Sequence, residues 1–138
     1  MLAAGLAGSA ACVDVNGGAV ELSWSIRTES GASSNCGKAN IARVELCGRD
    51  LATPAVTDCA LRHSWACGDQ HGTTAFDISP GRYELSIALI CPKSDDVTMA
   101  TVPAPIVRDI SEGDVAQLNA LLITGNGADG VACLPATP

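Results

Sequence analysis

The sequence has few aromatic residues and few positive charges. Four aromatic residues make up 3% of the 138-residue chain, so its core must be built mainly from Val, Leu, Ile and Ala. Lys and Arg number eight against 15 Asp and Glu, which gives a formal net charge of −7 at pH 7. This balance argues against nucleic-acid binding, which requires clustered positive charge. The chain also lacks a Gly-x-Ser-x-Gly nucleophile elbow and a cofactor fingerprint, so the sequence predicts a non-enzymatic protein without a cofactor.

The N-terminal segment contains no apolar run long enough to cross a bilayer. Residues 2–11 are apolar or small, but a spanning helix needs roughly 20 such residues. A short apolar segment that ends in small residues is typical of a secretory signal. Because the small residues precede Cys12, the segment resembles a bacterial lipoprotein signal, which implies a lipid on Cys12. We expect a signal-peptide remnant over residues 1–11 and a lipid-anchored tether over residues 12–18. Alternatively, Cys12 is a disulfide cysteine behind an ordinary signal.

Cysteine is the one reactive residue type that the chain has in quantity. Seven cysteines in a chain of this length favour an oxidising compartment over the cytosol. Without Cys12 an even number remains, which suits three disulfides, although the sequence does not select their connectivity. The candidates are Cys36, Cys47, Cys59, Cys67, Cys91 and Cys133.

Alternation of apolar and polar residues predicts an all-β fold. It is clearest over residues 20–27, where Val20, Leu22, Trp24 and Ile26 share one face. About seven strands are expected, a number typical of a β-sandwich. Residues 48–65 lack a sustained period and are predicted to form a disulfide-pinned excursion. The predicted domain covers residues 19–124, followed by a flexible tail over residues 125–138. The other predicted strands cover residues 42–47, 74–78, 83–89, 97–102, 105–110 and 115–123.

A Pro-Gly turn lies between two of these strands. Ser79, Pro80 and Gly81 separate residues 74–78 from residues 83–89, which predicts a hairpin. This phrase resembles the hairpin of prealbumin-like and immunoglobulin-like sandwich domains of bacterial surface proteins. More loosely, residues 17–123 resemble small Gram-negative lipoproteins of unknown function. The resemblance implies a fold and a cellular address, and it supplies no active-site residues.

One spacing raises the possibility of a metal site. Cys59, His63, Cys67 and His71 recur at intervals of four, and zinc favours four nitrogen or sulfur ligands. On a continuous helix these residues would form a stripe about 18 Å long, too extended to surround one ion. The chain would have to turn back, for example at Gly68. The alternative in an oxidising compartment is a Cys59–Cys67 disulfide, or two disulfides from this segment, with exposed histidines.

A small hydrolase is a further possibility. His63 could act as the base for Ser64, with Asp58 or Asp69 behind it, but adjacent residues rarely achieve that geometry. Carboxylate pairs could support acid/base chemistry or bind calcium, although exposed acids are usually only solvated. The candidate pairs are Asp95 with Asp96, and Asp77 with Glu84 across the predicted hairpin. The segment with Gly125, Asn126, Gly127, Asp129 and Gly130 also contains calcium-binding residue types, but too few ligands.

Taken together, these features predict a cell-envelope lipoprotein on the periplasmic or outer-membrane face. We expect a binding or structural module that uses the long loops over residues 28–40 and 48–72, because sandwich loops cluster at the ends of rigid sheets. The lipid would attach it to a membrane, and a protein or a glycan of the envelope would be its partner. A peptide or a second copy could instead pair with an exposed strand edge.

Overall fold

The computed structural model describes residues 16–135, which form an all-β sandwich, as predicted. Within that range one short helix, α1 (Cys36–Ala39), and one 3₁₀ turn (Cys67–Asp69) accompany nine strands. The strands are β1 (Ala19–Arg27), β2 (Arg43–Asp50), β3 (Leu61–Ala66), β4 (His71–Thr73), β5 (Gly81–Ile90), β6 (Val97–Thr98), β7 (Ile106–Ile110), β8 (Val115–Thr124) and β9 (Cys133–Leu134).

The sandwich consists of a three-stranded and a four-stranded sheet. The strand orders are β4-β1-β8 and β3-β2-β5-β7. Pairing is antiparallel except between β1 and β8, which run parallel and carry a register shift between Leu22 and Trp24. A separate ribbon joins β6 to β9. Because β8 has two residues where β1 has only Ser23, the shift is a β-bulge at Asn119 and Ala120.

The core lies between the two sheets and is mainly aliphatic. The predicted inward face of β1 is confirmed, since Val20, Leu22, Trp24 and Ile26 are all buried. The Trp24 Nε1–H donates to the Cys67 carbonyl oxygen at 2.9 Å, so its polar atom is satisfied inside the core. Tyr83, near the start of β5, donates to the Ser79 carbonyl oxygen at 2.7 Å. This contact resembles the tyrosine corner of immunoglobulin-like sandwiches.

The two ends of the sandwich differ. At one end, which we call the N-terminal end, Gly18 leads into β1 and pairs with Ile78, and residues 51–60 connect β2 to β3. At the opposite end, which we call the distal end, residues 28–42 follow β1 and residues 125–132 follow β8. The eight residues of β2 run from the distal to the N-terminal end, which separates the two ends by about 25 Å.

The predicted hairpin is wrong. Strand β5 pairs with β2 on one side and β7 on the other, so residues 74–78 find no free edge beside it. They run along β1 instead, where the Thr74 N–H donates to the Val20 carbonyl oxygen at 3.0 Å and the Ile78 N–H to that of Gly18 at 3.1 Å. Phe76, which the alternation had placed on an apolar face, remains 40% exposed.

Strand β3 was missed because its inward face is not uniformly apolar. The inward positions of β3 pair with buried residues of β2, Trp65 with Val44 and His63 with Leu46. The histidine interrupts the apolar alternation, so residues 61–66 did not stand out within the predicted excursion. Of the weak segment at residues 97–102 only β6 is a strand, whereas β7 is an edge strand as its prolines predicted.

The boundaries of the folded domain are wider than predicted. Residues 125–135 do not form a loose tail: Ala132 and Cys133 are buried, and Cys133 opens β9. At the other terminus Gly17 and Gly18 are buried as well, because they fit closely against Ile78, Ile110 and Ser111. Contacts that join distant parts of the chain therefore extend the domain in both directions.

Candidate functional site

The six candidate cysteines form three disulfides in the structure. Cys36 pairs with Cys67, Cys47 with Cys59 and Cys91 with Cys133, at Cα–Cα distances of 5.9, 5.2 and 5.7 Å. The prediction of disulfides is thus confirmed, while a Cys59–Cys67 bridge is not formed. Cys36–Cys67 and Cys91–Cys133 lie at the distal end, and Cys47–Cys59 lies on β2 and the connection that follows it. Cys12 lies outside the described residues.

The four residues with metal-ligand spacing do not converge. Cys59 and Cys67 belong to different disulfides, and the His71 Nε2 lies 2.9 Å from the Glu21 Oε1 on the outer face of the β4-β1-β8 sheet. The ring of His63 stacks with that of Trp65 at a centroid distance of 6.3 Å. Within residues 16–135 no three His, Cys, Asp or Glu side chains form a group that could hold a metal ion. The metal-site hypothesis therefore has no geometric basis in this region.

The hydrolase arrangement is not formed either. His63 and Ser64 are neighbours on β3, so their side chains point to opposite faces of the sheet. The Ser64 Oγ accepts a hydrogen bond from the Arg43 Nε at 3.0 Å. Asp58 lies in the connection before β3, whereas Asp69 lies in the 3₁₀ turn after it. Base, nucleophile and orienting carboxylate are thus directed to different places.

The predicted carboxylate pairs have separate roles. Because residues 74–78 do not pair with β5, Asp77 does not face Glu84 across a hairpin; the Glu84 Oε2 lies 3.3 Å from an Arg49 guanidinium nitrogen. The Asp96 Oδ2 accepts from the Lys93 N–H at 3.3 Å and closes a turn. Asp95 is exposed. Acidic groups that are solvated or used locally give no support to acid/base catalysis.

An open cleft at the distal end is formed in part by a predicted loop. It has a volume of about 420 Å³ and lies between the loop of residues 28–38 and the turn at residues 128–129. The lining is mostly polar and consists of Thr28, Ala32, Ser33, Ser34, Lys38, Ala128 and Asp129. We refer to it as the distal cleft. The length of the loop over residues 28–40 predicts the first wall. The second wall has no such signal, since the sequence predicts a flexible tail over residues 125–138.

Backbone hydrogen bonds hold the first wall of the distal cleft. The Ser34 N–H donates to the Ile26 carbonyl oxygen at 2.9 Å, and the Thr28 N–H donates to that of Ala32 at 2.9 Å. Asn35 caps helix α1 through its side chain, which accepts from the Lys38 N–H at 2.8 Å. The Cys36–Cys67 disulfide then ties this helix to the 3₁₀ turn. The long loop is therefore a fixed wall rather than a free connection.

The second wall is also fixed to the sandwich. The Gly125 N–H donates to the Arg27 carbonyl oxygen at 2.8 Å, and the Ala132 N–H donates to that of Ala39 at 2.8 Å. Gly130 has a φ of 66° and fits so closely that an added Cβ would lie 2.9 Å from the Thr28 Cγ2. Both walls are thus preformed, as is usual for binding sites.

The walls of the distal cleft carry opposite charges. Lys38 on the loop and Asp129 on the turn are both exposed, and among the described residues they form no salt bridge with each other or with another side chain. Both charged groups are consequently free to meet a ligand. Ser34 also lines the cleft, but its Oγ is buried and has no hydrogen-bond partner among the described residues.

The two predicted loops share only part of one end of the sandwich. Residues 28–40 lie at the distal end. The predicted loop over residues 48–72 is divided: residues 51–60 lie at the N-terminal end, where the Cys47–Cys59 disulfide and the Asp50 carboxylate, which accepts from the Ala52 N–H at 2.9 Å, hold them. The 3₁₀ turn Cys67–Asp69 returns to the distal end, where the Cys36–Cys67 disulfide ties it to helix α1. Trp65 is partly buried and packs against the core. Only the first loop contributes to the distal cleft.

The fold and these contacts define a class of protein: a small, disulfide-bonded all-β sandwich domain with a preformed polar cleft at one end. Comparison with protein families finds no matching family model, and comparison with curated proteins finds no similar sequence. Within residues 16–135 the structure contains no helix that is both long and apolar enough to span a membrane.

Proposed function

We propose that this protein is a non-enzymatic lipoprotein of a Gram-negative cell envelope, anchored through Cys12, which acts as a binding module through its distal cleft. The observation that carries the proposal is the position of the cleft at the end opposite to the start of β1. A chain anchored before β1 would hold its N-terminal end near the lipid and present the distal cleft to the surroundings. The even number of the remaining cysteines, all paired as cystines, suits the oxidising compartment of the proposal.

Mass spectrometry of the protein purified from its native host without reduction tests the anchor. We expect a diacyl or triacyl group on Cys12 and six oxidised cysteines. In the same host, Cys12→Ser should move the protein out of the membrane fraction. Ser9→Leu, a change in the same segment that leaves the cysteine in place, should keep it there. An unmodified Cys12, or a Cys12→Ser protein that stays in the membrane fraction, would contradict the proposed anchor.

Photo-crosslinking in intact cells tests the binding end. A photoreactive residue at position 38 lies in the distal cleft, whereas one at position 56 lies in the connection of the N-terminal end, where Val56 is 51% exposed. We expect defined adducts from position 38 that disappear with Asp129→Ala, since that substitution alters the facing wall of the cleft. Equal adducts from the two positions would contradict a binding role confined to the distal end.

A further inference from the structure

The outer face of the β4-β1-β8 sheet carries an ordered array of polar side chains. Glu21 pairs with Thr73 on one side and Gln117 on the other, and Ser23 pairs with His71 and faces the bulge at Asn119. Because directly opposite residues of neighbouring strands point to the same face, these side chains form two rows of three. We refer to them as the polar grid: Thr73, Glu21 and Gln117 in the first row, and His71, Ser23 and Asn119 in the second.

The polar grid lies beside the bulge of β8. An open hollow of about 210 Å³ lies over it, lined by Glu21, Ser23, His71, Gln117 and Asn119 with neighbouring residues. The bulge adds Ala120 next to Asn119 of the second row, and its small side chain lines the hollow. Bulges often redirect side chains at functional positions. With strands about 4.8 Å apart and a row spacing of about 7 Å, the polar grid covers about 7 by 10 Å.

The hydrogen-bonding groups of the polar grid are largely available. The His71 Nε2 and the Glu21 Oε1 lie 2.9 Å apart, so these two side chains are paired with each other. The side chains of Ser23, Thr73, Gln117 and Asn119 make no hydrogen bond to another described residue, and Gln117 and Asn119 are exposed. These amides and hydroxyls both donate and accept hydrogen bonds.

The outer face of the other sheet has a different chemistry. There, polar side chains satisfy one another across neighbouring strands: Arg49 with Glu84 at 3.3 Å, and Arg62 with Glu45 at 3.6 Å. Arg43 donates to the Ser64 Oγ at 3.0 Å. Such mutual pairing is typical of a solvated face. The polar grid contains no Lys or Arg, and neutral groups without side-chain partners make up most of it.

From this arrangement we infer that the polar grid binds an uncharged oligosaccharide. Vicinal sugar hydroxyls donate and accept at short spacing, which matches an array of amides, hydroxyls, a carboxylate and an imidazole. An anionic ligand would find no cation among the neutral groups and would face the Glu21 carboxylate. An apolar ligand would leave the same groups without hydrogen bonds, at a cost in free energy. The site is separate from the distal cleft, so it goes beyond the proposed function.

NMR titration of the ¹⁵N-labelled full chain, with its disulfides intact, tests the inference. The uncharged probes are cellotetraose, maltotetraose and chitotetraose, and the charged probe of matched length is tetragalacturonate. We expect at least one uncharged probe to shift the backbone amides of the polar grid selectively. Gln117→Ala and Asn119→Ala should each weaken that binding about fivefold to tenfold, as expected for a lost hydrogen bond. Arg62→Ala, on the opposite outer face, is the control and should leave the affinity unchanged.

Three results would overturn the inference: no shift at the polar grid with any uncharged probe, tighter binding of tetragalacturonate there, or an equal loss of affinity in the Arg62→Ala control. Shifts confined to the distal cleft would also contradict oligosaccharide binding at the polar grid, but they would be consistent with the binding module that we propose. An unmodified Cys12 would refute the proposed anchor without affecting a positive titration. The two proposals therefore fail independently.

Discussion

Gly72 and Trp65 meet where the chain passes from one sheet to the other. Gly72 lies on β4 and faces inward beside Leu22, and a Cβ at this position would overlap the indole ring of Trp65. The ring centroid of Trp65 lies 6.3 Å from that of Trp24. The absence of a side chain at Gly72 is thus what allows Trp65 to cover the core.

Gly72→Ala should therefore displace Trp65. We expect a loss of about 1–3 kcal/mol in the free energy of unfolding, as for other overpacked sites, together with a red shift in tryptophan emission as the indole becomes hydrated. Urea unfolding and fluorescence measure both effects. Gly68→Ala is the matched control, because an added Cβ there meets no atom within 4 Å and the backbone is not left-handed. Equal effects of the two substitutions would contradict the proposed contact.

Ionisation of Tyr83 makes the stability of the folded protein depend on pH in the alkaline range. Burial raises the pKa of the Tyr83 hydroxyl above its ordinary value, and the nearby Asp50 carboxylate raises it further. The unfolded chain therefore releases this proton first, at a pH of about 10. Stability from this group is fully present below pH 10 and is lost as the pH rises through the folded-state pKa.

Tyr83→Phe isolates this effect. The substitution removes the hydrogen bond to the Ser79 carbonyl oxygen, so stability at pH 7 should fall by about 1 kcal/mol. Above pH 10 the native protein should lose stability more steeply than the variant, which has no proton to release. Urea unfolding at a series of pH values checks both expectations. Parallel curves for the two proteins above pH 10 would show that Tyr83 does not contribute the loss.

At the scale of elements, the disulfides secure short pieces of structure that have little packing of their own. Strands β6 and β9 pair through only two residues each. The Cys91–Cys133 disulfide joins β9 to the residue that follows β5. Helix α1 has four residues and is joined to the 3₁₀ turn by Cys36–Cys67. Such short elements are marginal alone, so their positions depend on covalent links.

The loops that the disulfides close differ in length, which predicts an order of stability losses. Cys91–Cys133 spans 42 residues and Cys47–Cys59 spans 12. In the chain-entropy description, replacing the first pair by alanine should cost about 4 kcal/mol, and replacing the second about 3 kcal/mol. Urea unfolding of the two double variants measures the difference. A larger loss from the shorter loop would indicate that packing around Cys47–Cys59, rather than loop closure, dominates.

At the scale of the whole molecule, the two ends of the sandwich would lie at different distances from the proposed anchor. Cys12 lies six positions before Gly18 in the sequence, and a segment of that length reaches about 20 Å at most. The N-terminal end would therefore stay close to the lipid, while β2 places the distal cleft about 25 Å further away.

A pair of tryptophan reporters tests this orientation. The lipidated protein with Val56→Trp carries its reporter at the N-terminal end, and the matched Lys38→Trp carries one at the distal cleft. In vesicles with brominated lipids we expect stronger quenching at position 56 than at position 38. The protein without reporters supplies the background from Trp24 and Trp65. Quenching that is equal at the two positions would contradict an upright module.

Much of the fold could be predicted from local pattern, and the failures have physical reasons. The inward face of β1, the edge strand β7 and the presence of disulfides followed from alternation, prolines and an even cysteine number. Residues 74–78 alternate as a strand does, yet they do not pair with β5, because β5 already has a neighbour on each side. They run along β1 instead. His63 interrupted the apolar face of β3, and the packed C-terminal segment has no periodic signal.

The candidate sites were less predictable than the strands. The first wall of the distal cleft could be identified by loop length, but its second wall depends on contacts of residues 125–132 with Arg27 and Ala39. The polar grid had no sequence signal, because its members come from three strands and share a face only through the registers of β4, β1 and β8.

The sequence by itself determined the all-β class, the aliphatic core and the disulfide chemistry, because these depend on composition and on the two-residue period of a strand. Only the tertiary structure decided which cysteines pair, which strands are neighbours and which polar side chains lie together. Those outcomes depend on contacts between residues far apart in the chain, and a local pattern does not specify them.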